Sequence, residues 1–135
     1  MDKTYVLDTS ALFAYIELEA GVEVVEHILM LAKKGKCKIY ISFISLLEAY
    51  YVAWQKKGED KAKELVILLK SLPIERIESY ERLILLAGYI KANHRLSLAD
   101  AIVAATAMEK QAILVHKDPE LKAISSYIDT RFLPG

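Results

Sequence analysis

The chain is poor in cysteine, proline and glycine, with one, three and five respectively in 135 residues. Cys37 stands alone, so neither an intramolecular disulfide nor a cysteine-based zinc site can form, and a reducing, cytoplasmic setting is the expectation. The few prolines and glycines are not gathered into a linker, and there is no internal repeat or low-complexity tract. Charge of one sign is also missing. Eighteen Lys plus Arg balance eighteen Asp plus Glu, so any affinity for a polyanion must be a local feature. Long hydrophobic runs are absent as well. The stretch from Ile39 to Leu47 already contains Ser42 and Ser45 and ends at Glu48, well short of the ~20 residues of a membrane span. Met1-Asp2-Lys3-Thr4 lacks the basic region of a signal peptide, so neither export nor a membrane partner is expected.

What is present is 54% hydrophobic and 27% charged, the composition of one compact domain, expected to span residues 1–135. A chain of this length buries roughly two thirds of its unfolded surface and needs no staple. Tyr5-Val6-Leu7 reads as a strand ending at Asp8-Thr9-Ser10, followed by a helix through Ala11, Leu12 and Tyr15. Val25, Ile28, Leu29 and Ala32 mark a second, amphipathic helix that Lys33-Lys34-Gly35 closes. Cys37 to Ile41 is the next strand, leading through Ser42-Phe43-Ile44-Ser45 into a helix that runs to Gln55 and stops near Gly58. Helices are predicted over 59–70, from Ser79 to Asn93-His94-Arg95, and from Ser97 to Lys110. Short strands are predicted over 74–77, 112–115 and 128–133, with a short helix restarting at Asp118-Pro119. Strands alternating with helices and no hairpin dipeptides indicate an α/β domain with a mainly parallel sheet covered on both faces. In such a sheet the site belongs at the carboxyl ends of the strands.

Four acids interrupt or directly follow apolar segments: Asp8, Glu48, Asp100 and Asp118. Each has a structural explanation of its own. Asp8 and Asp118 suit N-caps, Ser45-Leu46-Leu47-Glu48 has capping-box spacing, and Ser97-Leu98-Ala99-Asp100 mimics it. Taken together they say more, because the helices that follow parallel strands begin along one sheet edge. Carboxylates brought together there repel one another, and a divalent cation resolves the conflict. Oxygen donors without cysteine or paired histidines favour Mg²⁺ or Mn²⁺, one ion or two. Such an ion suits phosphodiester hydrolysis.

In this light the chain resembles the PIN-domain family and its small VapC-type toxins. The resemblance rests on Val6-Leu7-Asp8-Thr9-Ser10-Ala11-Leu12, Ser45-Leu46-Leu47-Glu48, Leu96-Ser97-Leu98-Ala99-Asp100-Ala101 and Ile113-Leu114-Val115-His116-Lys117-Asp118-Pro119, in that order. It implies a three-layer α/β/α fold and a metal-dependent endoribonuclease that acts on RNA, with a small antitoxin partner and a homodimer. It also implies that Asp8, Glu48, Asp100 and Asp118 are the catalytic, metal-holding acids, with Ser10 and Ser97 in support. His116 stands where relatives often carry a hydroxyl and is assigned, with Lys117 and Arg95, to substrate phosphate. His94 and His27 read as surface residues, and Tyr50, Tyr51 and Trp54 as an aromatic cluster for core or interface. The alternatives are a PIN-type nuclease of RNA processing or DNA structures, a receiver-like signalling domain and a pure binding module. The receiver pattern is disfavoured because no adjacent acid pair follows the first strand.

Overall fold

The structure, a computed structural model, describes residues 3–134; Met1, Asp2 and Gly135 lie outside the described residues. The elements run β1 (Lys3–Leu7), α1 (Thr9–Ile16), α2 (Val22–Lys33), β2 (Cys37–Ser42), α3 (Phe43–Lys57), α4 (Glu59–Ser71) and β3 (Glu75–Ile77). Then come α5 (Glu81–Asn93), α6 (Leu98–Lys110), β4 (Ile113–His116), a 3₁₀ helix (Pro119–Ile124) and β5 (Thr130–Phe132). The strands form one sheet in the order β3-β2-β1-β4-β5, and every pairing is parallel.

Side chains alternate across the sheet, so each strand feeds two cores. Tyr5, Leu7, Ile39, Ile41 and Val115 pack with α1, α2, α3 and α4 on one face. Val6 and Leu114 pack with α5, α6 and the 3₁₀ helix on the other. This is the expected three-layer α/β/α arrangement. Covered on both faces, β4 and the second half of β1 are mostly apolar and buried, whereas the edge strands β3 and β5 carry exposed Glu75, Arg76 and Arg131. On α6, Ala101, Ala104, Ala105 and Ala107 are buried, and such small side chains let the helix lie close to the sheet.

Chain order reverses at β1, which lies between β2 on one side and β4 on the other. A crevice opens outside the carboxyl ends of strands at such a switch point. Asp8 directly follows β1, and Lys117-Asp118 directly follows β4. The backbone N–H of Asp8 bonds the Val115 carbonyl at 3.0 Å, which continues the β1–β4 pairing up to the crevice.

Two expected helix starts differ from those observed. Ser42, not Ser45, caps α3, its Oγ accepting from the Ile44 N–H at 3.2 Å, because the helix begins as soon as β2 ends. Glu48 therefore lies in the second turn of α3 rather than in a capping box. Ser79 does not cap α5; the cap position is Tyr80, which makes no side-chain capping bond.

Gly21, at φ +94°, carries the chain from α1 into α2, and a Cβ there would meet the Leu133 Cβ at 3.1 Å. Gly35 also has positive φ, +72°, but a Cβ there would meet nothing within 4 Å. Both positions penalise alanine through the backbone, and only Gly21 adds a clash. Gly21→Ala is expected to destabilise the protein by about 1–3 kcal/mol, and by more than Gly35→Ala, as measured by urea denaturation.

Candidate metal centre

Asp8 is nearly buried, at 4% exposure, and caps α1. Its Oδ2 accepts from the Ser10 backbone N–H at 3.3 Å and from the Ser10 hydroxyl at 2.6 Å. The same Ser10 Oγ accepts from the Lys117 backbone N–H at 2.9 Å, tying the loop after β1 to the loop after β4. Ser10 thus supports the first aspartate and also fixes the segment that delivers Asp118.

Asp100, 8% exposed, sits in the first turn of α6, where its N–H bonds the Oγ of the capping Ser97 at 3.1 Å. Asp118 caps the 3₁₀ helix, Oδ1 accepting from the Glu120 N–H at 2.9 Å. Glu48 is half-buried on α3, and its Oε1 accepts from the Thr9 hydroxyl at 2.7 Å. Among the described residues, Asp100, Asp118 and Glu120 place one carboxylate oxygen each within 4.8 Å of the others.

The charges of Asp8, Glu48 and Asp118 all reach Asp100, while the carboxylate oxygens gathered within 4.8 Å are those of Asp100, Asp118 and Glu120 and not those of Asp8 or Glu48. Burial drives the Asp100 carboxyl up to about 8, helped by hydrogen bonding to Asp118 and by the charges of Asp8, Asp118 and Glu48. Burial also raises Asp8, with the Asp118 charge adding to it; the Ser10 hydroxyl and the Ser10 and Thr9 backbone N–H groups pull the other way. Carboxylates this close cannot all stay ionised unaided. The donor set is oxygen only, which suits a hard divalent cation, and Asp8, Glu48, Asp100 and Asp118 with Glu120 are the residues that could hold it.

Two residues at the site escaped the sequence reading. Thr9 follows Asp8 and bonds an acid 39 positions away, a contact that no local pattern announces. Glu120 has a local signal, since it follows Asp118-Pro119 within one turn, but it resembles any helix-start acid.

The residues assigned to substrate phosphate separate. His116 is fully buried and packs edge-on against Phe132, centroids 5.3 Å apart. Burial lowers its pKa despite the nearby acids, which favours a neutral ring. As the last residue of β4, it points into the fold, so the expected phosphate contact through His116 is not supported. Lys117 lies at the rim, its Nζ 3.6 Å from Glu19. Arg95 is exposed in the loop before α6. His94 bonds the Tyr127 hydroxyl at 3.0 Å, and His27 is exposed on α2. Tyr50 and Trp54 pack edge to face at 5.6 Å, while Tyr51 and Trp54 each remain 44% exposed.

The raised acids fix a pH dependence. A carboxyl with a higher pKa in the folded state holds more protons there than in the unfolded chain. Stability therefore falls as pH rises from the ordinary 3.8 towards about 8. Thermal melts in chelator should show wild type losing more stability between about pH 5 and pH 8 than Asp100→Asn, which lacks that titration.

A family model described as PIN domain matches residues 5–126. Solved structures similar in fold include VapBC2 from Rickettsia felis bound to a DNA fragment from its promoter. The TM-score is 0.79 at 20% identity, covering 97% of this chain and 99% of that one. DNA-bound VapBC from Salmonella typhimurium gives 0.77 at 18%, covering 97% and 98%. The sarcin-ricin loop cleaving toxin VapC20 from Mycobacterium tuberculosis gives 0.72 at 16%, covering 96% and 99%. No curated protein sequence matches significantly. That family model spans most of the chain, so the protein belongs to the PIN-domain family.

Proposed function

We propose that the protein is a divalent-metal-dependent endoribonuclease, the toxin of a toxin–antitoxin pair, acting on RNA in the cytoplasm as a single catalytic domain. The observation that carries this reading is the acidic cluster at the carboxyl ends of β1 and β4, where Asp100, Asp118 and Glu120 oxygens lie within 4.8 Å of one another and the charges of Asp8, Glu48 and Asp118 act on Asp100. Structural neighbours that are VapBC assemblies, and a VapC toxin described as cleaving the sarcin-ricin loop, support the toxin and RNA parts of the reading.

The four acids would hold Mg²⁺ or Mn²⁺, one ion or two, with Glu120 at the margin. A bound ion of this kind supplies Lewis-acid polarisation of a phosphoryl oxygen and a bound water of lowered pKa. The chain's own groups do the rest. Ser10 orients Asp8, and Ser97 sets the first turn of α6 so that Asp100 faces the crevice. Arg95 and Lys117 stand at the rim, where cationic side chains hold the RNA backbone without reading its sequence.

Two exposed apolar surfaces suit protein partners. Between α3 and α4, Leu46, Leu47, Tyr50 and Ile67 line a groove with Lys63 and Arg76 at its side. On α5, Ile84, Leu85 and Tyr89 are exposed. We assign these faces to the antitoxin and to a second copy of the chain. No helix among the described residues is long and apolar enough to cross a membrane.

With Mn²⁺ or Mg²⁺, purified wild type is expected to cut labelled RNA and to lose that activity in EDTA. Asp8→Asn and Asp100→Asn should each lower the rate at least about 100-fold, more than the loss usual for a residue that only supports a ligand. Cleavage that survives in both variants would sink the proposal. Mn²⁺ should also raise the melting temperature of wild type and do so much less for Asp100→Asn.

A further inference from the structure

We infer that Thr9 is a positioning residue for Glu48 and thereby part of the metal-holding apparatus; the inference rests on the metal reading proposed above. Glu48 differs from the three aspartates of the site. Asp8, Asp100 and Asp118 are short side chains at helix starts, each within reach of a cap or a backbone N–H. Glu48 lies in the second turn of α3, past the N–H groups that a capping acid would use, on a longer and more mobile side chain. Among the described residues its carboxylate accepts from the Thr9 hydroxyl, at 2.7 Å.

Thr9 is well placed for this task. It is the first residue of α1, and its backbone N–H acts on the Asp8 carboxylate while its side chain reaches Glu48. One residue thus links the acid after β1 to the acid on α3. Its β-branched side chain has few rotamers, so the hydroxyl presents a nearly fixed donor. Toward an ionised carboxylate a hydroxyl can only donate, so the bond engages Oε1 and leaves Oε2 outside it. Removing the donor leaves the charge of Glu48 in place but frees its carboxylate to rotate.

The test is calorimetric titration of Mn²⁺ into metal-free wild type, Thr9→Val, Thr9→Ser, Glu48→Gln, the Thr9→Val/Glu48→Gln double variant and Asp100→Asn. Thr9→Val is nearly isosteric and removes only the donor; Thr9→Ala is a second hydroxyl-free variant should valine disturb folding. Thr9→Val should weaken Mn²⁺ binding about 10-fold or more, the range for losing a group that orients a metal ligand. Thr9→Ser should bind close to wild type. In the Glu48→Gln background the valine should cost little more, since Thr9 acts through Glu48.

A purely structural role would instead lower the melting temperature in EDTA without that coupling. The inference is overturned if Thr9→Val and Thr9→Ala bind Mn²⁺ like wild type while Asp100→Asn does not. It is equally overturned if the Thr9→Val and Glu48→Gln losses simply multiply. Should Asp100→Asn also bind like wild type, the metal reading itself fails and takes this inference with it.

Discussion

Acids of like charge are forced together at the carboxyl edge of a parallel sheet, and most features of the site answer to that constraint. Repulsion and burial push Asp8 and Asp100 towards their neutral forms. An apolar core could relieve this only by giving up the acids, whereas a divalent cation relieves it by neutralising them in place. The protein accepts a locally unfavourable arrangement that a bound cation would compensate, a common property of sites built for function rather than stability.

The tolerance for that arrangement comes from hydroxyl groups and helix starts. Ser10 bonds Asp8 and receives the Lys117 N–H, Ser97 caps α6 at Asp100, Ser42 starts α3 on the way to Glu48, and Thr9 holds Glu48 itself. Ser10 and Ser97 bond backbone N–H groups beside an acid, Ser42 caps the helix that carries Glu48, and Thr9 bonds that acid directly. Two continuous cores stand behind them, one on each face of the sheet, so the loops carrying the acids start from strands with little freedom to move. His116 shows the same economy from below. Where the strand ends, it fills space against Phe132 rather than serving the crevice.

Much of this was legible along the chain. The period of Val25, Ile28 and Leu29, the glycine after Lys34 and the apolar run before Asp8 each encode a helix, a stop and a strand from nearest neighbours alone. The four acids stood out for a similar reason, because a carboxylate inside an apolar stretch conflicts with the composition around it. Less legible were the limits of elements whose signals compete. Ser42 and Ser45 both suit the start of α3, and only the end of β2 pairing decides between them. The short edge strands β3 and β5 depend on a neighbouring strand more than on their own residues.

By itself, then, the sequence determined the alternation of strands and helices and the α/β class, and it marked out four acids at odds with their apolar surroundings, since these follow from periodicity, capping and composition within short windows. Only the tertiary structure decided the strand order β3-β2-β1-β4-β5, the fate of His116 and the meeting of Thr9 with Glu48. The physical reason is range. Propensity and patterning act between residues a few positions apart. The order of strands, the burial of a side chain at a strand end and a hydrogen bond across 39 residues arise only when distant segments pack together.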